Sequence, residues 1–176
     1  RVVVLVDDAR AGVGAERLHG MIQGISFANR FGKRWEVVER LEDHDSADDR
    51  AENLRSALQS NRDVDLVVDL GDRQGKGGVA PLAELAARHD ARLITFDGSN
   101  EALAGVESGE VYAVIGENRF LQGSESVKFL ARVIHEKPMG LPLPGRGGVN
   151  VPAQVLRRDN LAGYRTPEFV SLTPAA

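Results

Sequence analysis

Acidic residues in this chain gather where short apolar runs end, and cations stand among them. Asp7 and Asp8 follow the run at 2–6, and Glu42, Asp43, His44 and Asp45 follow the run at 35–41. Asp69 and Asp72 close the run at 64–70, Asp97 follows 93–96, and Glu117 follows 111–115. Arg10, Arg17, Arg73 and Lys76 are interspersed. Such a set is suited to recognising a polar ligand: carboxylates accept hydrogen bonds from hydroxyls or amines, and a guanidinium offers a rigid fork of donors. Carboxylates after strands also cap the next helix, and Asp72 and Asp97 are the best placed to do so. The two roles can coexist on different oxygens.

Other chemistries fit less well. Asp7, Asp8 and Asp69 imitate the acidic magnesium pocket of a phosphoacceptor receiver domain. The Lys that such a domain places after its fifth strand is missing, because Gly116 and Glu117 follow Ile115. The glycine-rich stretch 71–78 follows one element and precedes a helix, as a phosphate loop does. Its spacing from Gly71 to Lys76 is wrong, however, and Gly77 stands where Ser or Thr would hold magnesium. His19, His44, His89 and His135 are dispersed without ligand spacing, and there is no Cys for thiolate chemistry. We therefore expect no catalysis, no metal and no cofactor.

The elements that must position these residues alternate. Residues 2–6 are all apolar, as in a strand buried on both faces of a parallel sheet. A helix with Leu18, Met21, Ile22 and Ile25 at helical spacing follows, and Gly20 and Gly24 are expected to let it approach the sheet closely. Strands at 35–41, 64–70, 93–96 and 111–115 are separated by three helical segments. Ser46 and Asp49 suggest a capping box for the first of these, which buries Ala51, Leu54 and Leu58. The second carries Val79, Leu82 and Leu85 inward with Pro81 in its first turn, and a short third spans about 101–106. The longest helix, 118–135, carries Phe120, Val127, Leu130 and Ile134 on one face and stops at Pro138 and Gly140. Residues 149–156 read as an edge strand, given Pro152. This order implies an α/β three-layer sandwich, a parallel sheet of about five strands in flavodoxin-like order with helices on both faces.

With 176 residues the chain is long enough for one substantial core. Its 22 basic and 26 acidic residues give a formal charge of −4 without a basic stripe, so no nucleic-acid contact is expected from this segment. It opens on Arg1 directly in a strand, as a processed or excised piece would, so any signal peptide would be invisible.

Four pieces together resemble the second lobe of type I periplasmic solute-binding proteins of the ribose and galactose group, a lobe shared with LacI-type regulators. They are Gly14-Ala-Glu-Arg-Leu-His-Gly-Met21, Asp63-Val-Asp-Leu-Val-Val-Asp-Leu-Gly-Asp72, Leu93-Ile-Thr-Phe-Asp-Gly98, and Gly109-Glu-Val-Tyr-Ala-Val-Ile-Gly-Glu117 with the closing Arg158-Asp-Asn-Leu-Ala-Gly-Tyr164. The resemblance implies binding of a small polar, sugar-like solute by Arg17, Asp72, Asp97 and Glu117, with Asp7, Asp8, Asp45 and Gly71 on the rim. Gly71 stands in place of a family Asn, and His44-Asp45 in place of a sugar-stacking aromatic. These differences leave open a more polar or cationic solute, or loss of binding.

The resemblance also implies an organisation: a lobe at 1–117, a crossover helix at 118–140 and a return strand and tail at 141–176. Its partners would be the membrane permease of an ABC-type uptake system, and either a missing N-terminal lobe or a second copy met through helix 118–136. The location would be periplasmic or otherwise extracytoplasmic. For the effector lobe of a LacI-type regulator, the alternative, it would be cytoplasmic.

Overall fold

The computed structural model describes residues 1–10, 12–44, 46–71, 78–96, 98–135 and 151–164. The elements are β1 (Val2–Val6), α1 (Gly12–Arg30), β2 (Val37–Glu42), α2 (Ala47–Ser60), β3 (Leu66–Asp69), α3 (Ala80–Arg88), β4 (Arg92–Thr95), α4 (Asn100–Ser108), β5 (Ala113–Gly116), α5 (Arg119–His135), β6 (Gln154–Leu156) and a 3-10 turn at Leu161–Tyr164. The chain divides into two units: 1–115 with 155–176, and 116–154. The expected strands at 93–96 and 111–115 are displaced by one or two residues, and the return strand shortens to three. Trp35 lies ahead of β2, and Pro152 lies ahead of β6.

The six-stranded sheet has the order β2-β1-β3-β4-β5-β6. Parallel pairing links β1 to β2 and β3, β3 to β4, and β4 to β5. The chain steps from β1 outward to β2, then back across to β3, so right-handed crossovers put α1 on one face and α2, α3 and α4 on the other. The two cores follow this division. Val3, Leu5, Val67, Leu93 and Val114 pack with Leu54, Leu58, Leu82 and Leu85, whereas Val2, Val4, Val68 and Leu70 pack with Leu18 of α1.

Local chemistry fixes the helix ends. The Ser46 hydroxyl accepts from Asp49 N at 3.3 Å, and the Ser99 hydroxyl accepts from Ala102 N at 3.2 Å. The first N–H groups around α3 are taken by Glu101, whose Oε1 accepts from Val79 N at 3.1 Å and Ala80 N at 3.0 Å. The observed caps are Ser99 for α4 and Glu101 for the start of α3; Asp97 and Asp72, the caps expected from the sequence, lie outside the described residues. Pro81 occupies the first turn of α3 as expected.

The expectation for Gly20 and Gly24 is wrong. A Cβ at either would meet nothing within 4 Å, so neither brings α1 against the sheet. Gly14 does: its Cβ would fall 1.9 Å from Asp7 Oδ1 and 2.9 Å from Val6 Cγ2. Contact is closest where α1 leaves the end of β1. Of the expected apolar stripe on this helix, Leu18 is buried and Ile22 is 43 % exposed. No helix of the described residues is long and apolar enough to cross a membrane.

Candidate functional site

In a sheet of this order the crevice for a ligand lies at the carboxyl ends of the strands, where the chain reverses its winding direction, here between β1 and β3. Backbone bonds lace that edge together. Leu70 N donates to Leu5 O at 2.9 Å, Phe96 N to Asp69 O at 3.1 Å, Asp43 N to Val6 O at 3.2 Å and His44 N to Asp7 O at 3.1 Å.

Arg17 reaches this point. It projects from the second turn of α1, and its Nη1 donates to the carbonyl of Leu70 at 2.9 Å. Its guanidinium carbon lies 4.9 Å from the centre of the Phe96 ring, within cation–π range. Anchorage on two strand ends restricts the rotamers of a long side chain, so less entropy remains to be lost when a ligand arrives. Arg17 is only half-buried.

The carboxylates at the edge divide by role. Asp7 sits over the start of α1, and its Oδ1 accepts from Asp8 N at 3.0 Å, while Asp8 Oδ1 accepts from Arg10 N at 2.7 Å. Both are half-buried and stay open to a ligand. Asp43 and Asp69 turn inward, 2 % and 0 % exposed. Asp69 Oδ1 accepts from Gly71 N at 3.3 Å, shaping the exit from β3. A carboxylate sealed in this way is poorly placed to receive a phosphoryl group. Glu117 is exposed and belongs to the second unit. Asp45, Asp72 and Asp97 lie outside the described residues. Among the described residues no group of three His, Asp or Glu side chains is arranged to hold a metal ion.

Three contributors escaped the sequence reading. Phe96 supplies a shelf for Arg17, the Leu70 carbonyl orients it, and Glu101 anchors the far end of the glycine-rich stretch. Gly78 there has φ +64°, and a Cβ on it would lie 2.6 Å from Glu101 Oε1. A Glu in the first turn of α4 is visible in the sequence, but its reach across to α3 is not. Replacing Glu101 with Ala should lower stability by about 1–2 kcal/mol, the usual cost of a lost cap, and Gln should recover most of it. Urea unfolding checks this, and an unchanged midpoint for the Ala variant would refute the anchor.

The closing motif is structural. Asn160 Oδ1 accepts from Arg157 N at 2.7 Å and its Nδ2 donates to Val155 O at 2.8 Å. Arg158 donates to the Glu107 carbonyl at 2.7 and 2.9 Å, satisfying the carboxyl end of α4.

Solved structures of similar fold include an arabinose-binding protein, AraP, from Geobacillus stearothermophilus, with TM-score 0.71 and 23% identity over 94% of this chain and 56% of that one. A myo-inositol binding protein from Caulobacter gives TM-score 0.68 and 22% identity over 93% and 53%. An ABC transporter solute-binding protein from Burkholderia graminis, solved with D-arabinose, gives 0.67 and 19% over 93% and 54%. The chain thus spans about half the length of each. A family model described as a periplasmic binding protein domain matches residues 1–138. With most of its 176 residues covered by that model, the chain belongs to the periplasmic binding protein domain family.

Proposed function

We propose that this chain is the C-terminal lobe of a solute-binding protein serving an ABC-type uptake system, and that it binds a small, polar, sugar-like solute without catalysis. The observation that carries this reading is Arg17, held on the Leu70 carbonyl and the Phe96 ring where the sheet reverses its winding. A ligand there would meet an aimed guanidinium beside the open carboxylates Asp7 and Asp8. Asp72 and Asp97, which follow β3 and β4 in the chain, Asp45 and Gly71 on the rim and Glu117 after β5 are the further residues proposed to contribute. Sugar hydroxyls both donate and accept, so a mixed acidic and cationic edge suits them.

The similar proteins are named for arabinose and myo-inositol, and one as an ABC transporter component. This favours the transport branch over the effector lobe of a LacI-type regulator, and with it an extracytoplasmic location and a membrane permease as partner. Thermal unfolding should be followed with arabinose, allose, glucose, galactose and myo-inositol at millimolar concentration. Stabilisation grows as RT ln(1 + [L]/Kd), reaching about 2.7 kcal/mol at a hundredfold excess over Kd. At least one of these solutes should raise the midpoint in a concentration-dependent way. Invariance with all five would overturn the sugar-like assignment.

A further inference from the structure

The glycine-rich stretch 71–78 leads from β3 into α3 as a phosphate-binding loop does, but without the spacing of one. The start of α3 holds a carboxylate of the chain itself instead. Free N–H groups at a helix start carry partial positive charge and attract an anion. Few are free on α3. Pro81 has no N–H, and Leu82 N and Ala83 N donate to the Val79 carbonyl at 3.1 and 3.0 Å. The other two, Val79 N and Ala80 N, both donate to Glu101 Oε1, at 3.1 and 3.0 Å. Gly78 makes room for that carboxylate. Its φ is +64°, and a Cβ on it would lie 2.6 and 2.7 Å from the two Glu101 oxygens. An anion seat with matched donors is thus present, and its occupant is built in.

The seat lies at the edge that holds Arg17. β3 and β4 are neighbours. Leu70, whose carbonyl accepts from Arg17, directly follows β3, and Phe96, beneath the guanidinium, directly follows β4. The chain reaches α3 from the first of these strand ends and Glu101, in the first turn of α4, from the second. We propose that Glu101 is a specificity residue: by filling the anion seat at the start of α3, its carboxylate makes this edge accept an uncharged solute and reject the phosphate ester of that solute.

Neighbouring groups act in the same direction. Ala102 N of α4 is taken by the Ser99 hydroxyl and Asp49 N of α2 by the Ser46 hydroxyl. Arg17 already donates from Nη1 to Leu70. A phosphoryl group arriving here would also meet the half-buried carboxylates Asp7 and Asp8, and like charges brought together on binding disfavour the wrong partner. Sugar hydroxyls, by contrast, can donate to those carboxylates. The rejection of an ester rests on the solute-binding reading. The filled seat does not, and inorganic phosphate probes it alone.

Thermal unfolding of the 176-residue chain tests the seat, with sodium chloride replaced by sodium phosphate at constant ionic strength. The parent chain should show no saturable shift. Glu101→Ala frees two donors, and two charge-assisted bonds support a dissociation constant for phosphate on the order of 1 mM. At about 20 mM phosphate the midpoint of this variant should therefore rise by roughly 4–7 °C relative to chloride. Glu101→Gln, whose amide oxygen refills the seat, should behave as the parent does. Glucose 6-phosphate, galactose 6-phosphate and arabinose 5-phosphate should leave the parent midpoint unchanged, even where the free sugar raises it. The proposal is overturned by saturable phosphate stabilisation of the parent, by none in the Ala variant, by a Gln variant that behaves as Ala, or by an ester that stabilises as strongly as its sugar. If the Ala variant fails to fold, the parent and ester arms still decide. If no free sugar stabilises the parent while phosphate separates Ala from Gln, the seat is supported and only the sugar-like assignment falls.

Discussion

Replacing Asp43 with Ala is expected to lower the unfolding free energy by about 3–5 kcal/mol, the usual effect of breaking a buried ion pair by removing one partner. The carboxylate and the guanidinium of Arg50 lie 3.9 Å apart, with side chains 0% and 2% exposed. Arg50 projects from α2 and Asp43 closes β2, so the pair fastens the first helix of the larger core to the rim of the sheet. The Ala variant takes that carboxylate away from a buried guanidinium, and its share in offsetting the desolvation cost of the charge is lost. Against a typical stability of about 5–15 kcal/mol, such a loss is a large fraction of the whole. With an m-value near 2 kcal/mol/M, the urea midpoint should fall by roughly 1.5–2.5 M. The double variant Asp43→Ala, Arg50→Met should recover most of the loss, because neither charge of this pair remains buried. A double-mutant cycle with negligible coupling would show that the two residues contribute separately.

The same residue shows where sequence reading stops. In Glu42-Asp43-His44-Asp45 the residue types alone place a polar cluster at a strand end, and nothing in them says which carboxylate turns inward. That depends on Arg50 emerging from α2 against the end of β2, a contact made by the fold. Asp69 is similar: its place at the end of a strand is legible, but its zero exposure follows from the layer of helices above it. The strands themselves were legible because parallel strands buried on both faces read as continuous apolar runs. β2 was the least distinct, since its residues are half-buried or exposed and include Glu39, Arg40 and Glu42.

Glycine positions were ambiguous for a different reason. A helical glycine can mark contact with another backbone or merely an open face, and Gly14, Gly20 and Gly24 look alike in the sequence. Periodicity located the stripe of α1 through Leu18, but the burial of that stripe depends on what covers the sheet beyond it. Ile22 lies exposed, and Met21 and Ile25 border an apolar groove on this face. Arg17 stands out in the sequence only through the resemblance of residues 14–21 to a family helix start. Its supports, Leu70 and Phe96, lie 53 and 79 positions away in the chain and could not be read locally.

Those supports make Arg17 the most sensitive position for binding. Replacing it with Met keeps most of the stem that packs along the edge and removes the charge and all donors. A hydrogen bond to a charged group contributes about 1.5–3 kcal/mol, so affinity for a solute that stabilises the parent chain should fall roughly 10–100-fold. In titration calorimetry the loss should appear in Kd, while urea unfolding of the unliganded variant changes far less than for Asp43→Ala. Arg17→Lys is the sharper comparison. It retains the charge but loses the planar fork that meets the Leu70 carbonyl and lies against the Phe96 ring. If Lys binds as weakly as Met, the aimed geometry of the guanidinium matters more than its charge. If Lys restores full affinity, the site needs only a cation at the strand ends, and the preorganising roles of Leu70 and Phe96 fall away. If Met itself binds as tightly as Arg, the solute does not contact Arg17 and the ligand site lies elsewhere on the sheet edge.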